Sequence, residues 1–297
     1  GRVDDAAMVM DANGAISQIG RESDVAKRLP PGARELDLRD CIVVPGLVDA
    51  HAHPLFAGDR EPDFAGRLRG DAPRLGMAYT VRRTRRALLH RAAFAQDVVR
   101  PRLRRMLEHG TTTLECKTGY ALDETGELEL LRLASESHAP ELPSLVPTFL
   151  GAHAVPPEYE DERSYVDFLI ERLVPRAREH GAVYADAFCE PGFFSTEQTR
   201  RYLEACRAHG LRLRLHCDEM AYGGAAKRAA ELGVDAVDHC NFIDSDDVRS
   251  IASSGIVTVA CPATIAYLGL ERHAPVRALL EAGGEVALAS DYNPGTS

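Results

Sequence analysis

Along most of this chain, short runs rich in β-branched and apolar residues alternate with longer amphipathic stretches of helical period. Eight runs predict strands, at 42–50, 112–117, 144–151, 184–189, 212–216, 236–238, 256–261 and 286–290. Helical patterns fill the gaps at about 80–109, 126–139, 160–180, 195–209, 221–232, 245–254 and 273–283. Several end on a glycine (110, 181, 210, 233, 255, 283), where a helix commonly turns into left-handed backbone. Eight strands alternating with helices over about 250 residues match a (β/α)8 TIM-type barrel. A doubly wound sheet is the competing architecture, but it usually carries a glycine-rich phosphate turn after an early strand, and this sequence has none.

Ahead of the first barrel strand, residues 7–20 predict a hairpin with Asn13-Gly14 as a two-residue turn. The expected organisation is a partial small β domain over 1–40 and a barrel over 41–297. The chain begins in mid-pattern without Met and stops seven residues after the eighth strand. A fragment is therefore expected, truncated at both ends and lacking the last helix and the hairpin's partner strands.

Composition narrows the functional classes. With 297 residues, 45% of them hydrophobic, and a net charge of −10, the chain reads as globular, long enough for one large α/β domain with a small companion, and its charge argues against a nucleic-acid partner. The arginine-rich stretch from Arg60 to Arg105 has helical spacing and reads as a solvated helix face. No apolar run reaches the roughly 18–20 residues a bilayer-spanning helix needs, so no membrane partner is expected. The seven cysteines (41, 116, 189, 206, 217, 240, 261) form no Cys-x-x-Cys pair and read as reduced core thiols of a cytoplasmic protein.

The candidate chemistry begins with His51 and His53. Residues at i and i+2 of a strand point to one side, so these imidazoles converge where the first barrel strand ends. Alone, the pair reads equally well as two loop histidines. In a barrel, however, catalytic groups sit at the C-terminal strand ends. Lys117 and Tyr120 follow strand two, His153 strand three, Glu190 strand four, His216 strand five and His239 strand six, and Asp291 follows strand eight. A single histidine at a strand end is more often structural than a ligand. Five at one rim, closed by an aspartate, reverse that preference. Three imidazoles and one carboxylate, read as His51, His53, His216 and Asp291, suit one divalent or trivalent borderline metal ion with room left for water. Such an ion lowers the pKa of its water and polarises the carbonyl under attack, and Asp291 can take the water's proton. Glu190 is the minor candidate to bridge a second ion, Lys117 reads as a buried ion-pair partner of Glu190 or Glu115, and Asp49 as a carboxylate orienting an imidazole.

Five segments carry a family resemblance: Pro45 to Arg60 (PGLVDAHAHPLFAGDR), Glu115 to Tyr120 (ECKTGY), Thr148 to Pro157 (TFLGAHAVPP), His216 to Glu219 (HCDE) and Asp291 to Thr296 (DYNPGT). On these the chain resembles the amidohydrolase superfamily and, within it, the imidazolonepropionase family, which hydrolyses a ring C–N bond of 4-imidazolone-5-propanoate to give N-formimidoyl-L-glutamate in histidine degradation. The resemblance implies an amidohydrolase-type barrel with a partial β-sandwich, and zinc or iron on His51, His53, His216 and Asp291. It implies that Arg60 binds the substrate's propionate, with Tyr120 and His153 as further substrate contacts. Glu219 is implied at the imidazolone ring as a proton donor to the leaving nitrogen, His239 as the residue that positions water or carbonyl, and Asn293, Gly295 and Thr296 as a substrate-contacting loop. Arg60 has a plain alternative as one more solvated arginine, and Tyr120 as a strand cap. The segment from Arg69 to Tyr79 is shorter than the family's loop, and Tyr79 stands in for its additional tyrosine. The expected partner is a small molecule and the expected assembly a homodimer. The other readings are an amidohydrolase of another small cyclic amide or amidine, and a metal-binding fragment without activity.

Overall fold

The computed structural model describes residues 2–72 and 74–296. The chain divides into two compact units, Gly1–Pro45 and Gly46–Ser297. In the first, β1 (Ala6–Met10) pairs antiparallel with β2 (Ile16–Arg21). The connection is longer than the expected two residues. Asp11 closes it, its N–H donating to the Ala15 carbonyl at 2.9 Å and its carboxylate accepting from the N–H groups of Asn13 and Ala15.

The second unit contains β3 (Leu47–Ala52), β4 (Thr111–Lys117), β5 (Ser144–Ala152), β6 (Tyr184–Cys189), β7 (Arg212–Cys217), β8 (Ala236–His239), β9 (Val257–Ala260) and β10 (Val286–Leu288). They form one parallel sheet in sequence order, the eight-stranded barrel expected from the periodicity. Among the described residues, backbone pairing joins its two edges at their C-terminal ends. Ala52 bridges Tyr292, the Asp291 N–H donates to the His51 carbonyl at 3.0 Å, and the His53 N–H donates to the Tyr292 carbonyl at 2.8 Å. The seam therefore closes where His51, His53 and Asp291 lie.

Alternation along the strands sorts the two faces. Leu114 and Cys116, Ala185 and Ala187, and Leu213, Leu215 and Cys217 pack outward into the apolar layer shared with the helices. The opposite parity carries Glu115, Lys117, Asp186, Arg214, His216 and Asp238, all buried. Six of the seven cysteines are buried free thiols, as expected, while Cys41 is exposed.

Three elements differ from the periodicity reading. The first barrel strand starts at Leu47 rather than residue 42, because Pro45 lacks an N–H for the ladder; Ile42, Val43 and Val44 are 91%, 60% and 64% exposed. The helices expected at 80–109 and 160–180 each contain a π-helical stretch, Phe94–Val99 and Leu169–Leu173. In both cases a proline, Pro101 or Pro175, stands within two residues of its end, and the widened turn accommodates the missing donor. Two short helices that the pattern missed, Glu61–Arg67 and Pro262–Leu268, lie in the loops after β3 and β9.

Candidate metal centre and active site

The strand ends bring His51, His53, His153, His216 and His239 together, each at most 5% exposed. Around His51 the ring centroids of His53, His216 and His239 lie at 5.0, 4.6 and 5.1 Å. Of the six non-glycine residues with positive φ among those described, five (Leu122, Asp218, His239, Cys240 and Asp291) lie at or just past the ends of β4, β7, β8 and β10. Backbone held in this sparsely populated region is concentrated at the rim.

The nitrogen and oxygen atoms are spaced as ligands of one ion. The Nε2 atoms of His51 and His53 are 3.1 Å apart, and Asp291 Oδ1 stands 3.3 and 3.4 Å from them. Donors roughly 2.0–2.2 Å from a tetrahedral cation stand roughly 3.3–3.5 Å from one another, so the set fits zinc or iron. Four overlapping groups can be drawn among the described residues: His51 with His53 and Asp291, His51 with His216 and His239, Asp186 with His216 and Asp238, and Glu219 with His239 and Asp291. All four sequence-assigned ligands fall in them, and so does His239, which the sequence placed nearby without a ligand role.

Two carboxylates that sequence reasoning missed orient the rings. Asp238 Oδ2 lies 3.0 Å from His51 Nδ1 and Asp186 Oδ2 lies 2.9 Å from His216 Nδ1. A proton on each Nδ1 leaves Nε2 with a free lone pair for the metal. Asp49 does not take this role. It accepts instead from the Ser290 N–H at 2.9 Å and hydroxyl at 2.5 Å, so it pins the barrel seam. Beneath the rings, Lys117 Nζ lies 3.0 Å from Glu115, 2.6 Å from Asp186 and 3.3 Å from Asp238, while Arg214 donates to Asp238 at 2.6 Å. Lys117 is thus the ion-pair partner of Glu115, as one reading had it, and not of Glu190. The Glu190 carboxylate accepts from the N–H groups of Glu219, Met220 and Ala221 at 2.8, 3.0 and 2.7 Å, so it holds the loop carrying Glu219 and belongs to no ligand group.

Burial sets the protonation states. It drives His53 well below the ordinary imidazole range and His153 and His239 down to about 3, which keeps these rings neutral. For His51 without an ion, burial and Lys117 act downward, but Asp238 and Asp291 outweigh them and hold it up at about 9, so a cation binding at Nε2 would have to displace a proton. Burial raises Glu219 well above the ordinary carboxylate range, and the charges of Asp291 and Glu190 raise it further. Burial also opposes ionisation of Asp291, but hydrogen bonds to His51 and His53 prevail and hold it well below its usual value. The Thr264 hydroxyl donates to Asp291 Oδ2 at 2.6 Å.

A second cluster sits beside the imidazoles. Tyr120 is 2% exposed, its ring 5.9 Å from that of His53, and its hydroxyl is hydrogen-bonded to Arg60. The Arg60 N–H donates to the Pro294 carbonyl at 2.9 Å, and Gly295 leaves space for its guanidinium, since a Cβ there would stand 2.2 Å from Nη2. Asn293 shapes this loop, accepting from the N–H groups of Gly295 and Thr296 and donating to the Thr296 hydroxyl. The arginine-rich stretch is not uniformly solvated. Arg67 donates to the carbonyls of Tyr267 and Gly295, and Arg102 lies 3.7 Å over the Phe56 ring and donates to the Pro54 carbonyl. Tyr79 lies against Gly58, two residues before Arg60.

Fold and rim together define a barrel hydrolase with ligands for a metal ion. A model of the amidohydrolase family matches residues 42–296. Imidazolonepropionase from Rubrobacter xylanophilus is 41% identical over 294 residues, covering 95% of this chain and 69% of that protein. The enzyme of the same name from Chloroflexus aggregans is 40% identical, covering 95% of this chain and 69% of that one. Guanine deaminase from C. acetobutylicum superposes with a TM-score of 0.67 at 17% identity, over 99% of this chain and 71% of that one, a likeness of fold. The chain belongs to the amidohydrolase family, in its imidazolonepropionase branch.

Proposed function

We propose that this chain hydrolyses the ring C–N bond of 4-imidazolone-5-propanoate to N-formimidoyl-L-glutamate, with one zinc or iron ion held by His51, His53, His216 and Asp291. The observation that carries the substrate is the Arg60–Tyr120 pair beside the His53 ring, a carboxylate receptor next to the metal ligands. A guanidinium fork accepts a propionate bidentately, and the phenol adds a directional hydrogen bond. Membership of the branch and the intact ligand set support the same reading.

A borderline cation held by His51, His53, His216 and Asp291 would supply an activated water at neutral pH and polarise the scissile carbonyl. Asp291, kept ionised by His51 and His53 and fixed by Thr264, takes the proton from the attacking water. Glu219, kept protonated by its buried and acidic surroundings, gives a proton to the departing ring nitrogen. His239 stands with Nε2 3.7 Å from Glu219, placed to position the carbonyl oxygen. His153 donates from Nδ1 to the Gly119 carbonyl at 2.9 Å, which leaves Nε2 to accept from a substrate N–H. Asn293, Gly295 and Thr296 close the pocket behind Arg60. No helix among the described residues is long and apolar enough to cross a membrane. The buried free thiols suit a reducing cytoplasm.

Arg60→Ala tests the assignment. Losing a bidentate charge pair should lower kcat/KM for imidazolonepropionate by roughly 100-fold with the metal retained. Unchanged turnover in the variant would remove the carboxylate clamp, and bound metal without turnover in the unaltered chain would overturn the enzyme reading.

A further inference from the structure

The loop after β4 carries Tyr120 and is held from behind by a side chain to which the chemistry assigns no part. Glu127, in the helix Glu124–Glu136, is fully buried. Its Oε1 accepts from the N–H groups of Ala121 at 2.8 Å and Leu122 at 2.9 Å, and the Gly119 N–H is shared between Oε2 at 2.9 Å and Oε1 at 3.2 Å. A hydrogen bond from the Thr118 side chain completes the set. No arginine, lysine or histidine pairs with Glu127 among the described residues, so it is satisfied by this loop alone.

The other side of the same loop faces the pocket. Gly119, at φ +99°, receives the His153 Nδ1 proton on its carbonyl, and a Cβ at Gly119 would stand 2.8 Å from His153 Nδ1 and 2.8 Å from the Leu150 carbonyl. The Gly119 residue therefore joins two groups, its N–H pointing at Glu127 and its carbonyl at His153. Tyr120, one residue on, sits between the N–H groups that Glu127 holds and has its ring 5.1 Å from that of His153.

We propose that Glu127 is the positioning residue of the substrate pocket, fixing the Tyr120 hydroxyl against Arg60 and, through the Gly119 carbonyl, the ring orientation of His153. This rests on the reading that Tyr120 and His153 contact the substrate. Glu127 touches neither substrate nor metal, so its effect belongs in KM and leaves metal content alone.

Glu127→Gln is the informative variant, because it keeps the shape and the bonds to Ala121 and Leu122 but turns an amide N–H₂ toward the Gly119 N–H. The measurement is KM and kcat for imidazolonepropionate in the metal-loaded protein, with Tyr120→Phe and the double variant alongside. The expected result is a KM raised about 10-fold by Glu127→Gln, from loss of a charge-assisted bond, with metal content unchanged. In the Tyr120→Phe background the further rise should be clearly smaller, since part of what Glu127 positions is already gone. Full additivity, or a lowered melting temperature with KM unchanged, overturns the inference and leaves the pocket intact. If Tyr120→Phe alone leaves KM unchanged, the pocket reading fails and the positioning role falls with it. Should Glu127→Gln not fold, amide hydrogen exchange in the unaltered protein decides instead: slow exchange at Gly119, Ala121 and Leu122 supports the clamp, and fast exchange refutes it.

Discussion

Replacing Lys117 by methionine removes a fully buried charge and keeps most of its bulk. The ammonium faces Glu115, Asp186 and Asp238 at 3.0, 2.6 and 3.3 Å. Arg214 reaches Asp238 and, at 3.8 Å, Glu115, but among the described residues Asp186 would keep only the His216 ring and backbone donors from His216 and Ala187. Stripping one partner from a buried ion pair costs about 3–5 kcal/mol. An independent ceiling comes from proton uptake, since a stranded carboxylate with an ordinary pKa near 4 takes up a proton at pH 7 for about 4 kcal/mol. The two agree, so about 4 kcal/mol is the expected loss at neutral pH. The sign with pH follows. Burial raises Asp186, but the His216 ring and the Lys117 charge hold it well below its ordinary value, so its stabilisation is present above the unfolded-state pKa and fades as pH falls through that range toward the folded value. In Lys117→Met the proton becomes cheaper in acid, and the deficit should shrink to roughly 1–2 kcal/mol at pH 5. Urea unfolding of both metal-free proteins at the two pH values measures this. A deficit below about 1 kcal/mol at pH 7, or one that does not change with pH, would refute the assignment of Lys117 as the charge that sustains this layer.

Other perturbations follow from the same geometry. Asp186→Asn weakens the acceptor that orients His216 and should cut metal affinity about 10-fold or more, read by competition against a chelator. Glu219→Gln should lower kcat and abolish the alkaline limb of the pH profile, because the raised pKa of Glu219 makes its activity present below that pKa and lost as pH rises through it. A variant that keeps the limb would move the acid role elsewhere. Gly295→Ala places a methyl 2.2 Å from Arg60 Nη2 and should raise KM with metal content unchanged, as a substrate titration and metal analysis would show.

The sequence showed the strands of the barrel and the histidines at their ends because both obey local rules. Apolar runs mark strands, and a barrel places its chemistry at their C-terminal ends. What escaped it depends on closure of the sheet. Asp186 and Asp238 sit inside short strands, where an aspartate reads locally as a strand breaker; only the closed barrel gives each a cationic neighbour and an imidazole to hold. Asp49 was misread for the complementary reason. It stands two residues before His51 with the same parity, but closure of the sheet brings Ser290 across the seam, and the carboxylate accepts from Ser290 instead of from the ring. The carboxylate clamps of Glu127 and Glu190 rest on backbone N–H groups of loops, which no side-chain pattern encodes.

Parity was the signal available. Glu115 and Lys117, and Arg214 and His216, stand two residues apart on their strands, so the side that bears a rim ligand also bears charges one layer below. An inward charge under a metal ligand is costly unless it does something for that ligand. Here Asp238 and Asp186 fix the His51 and His216 rings, while Lys117 and Arg214 keep those aspartates ionised. The buried ionic layer and the metal centre are therefore one structure, and a barrel strand with polar residues at inward positions below a rim histidine should be read as that ligand's support.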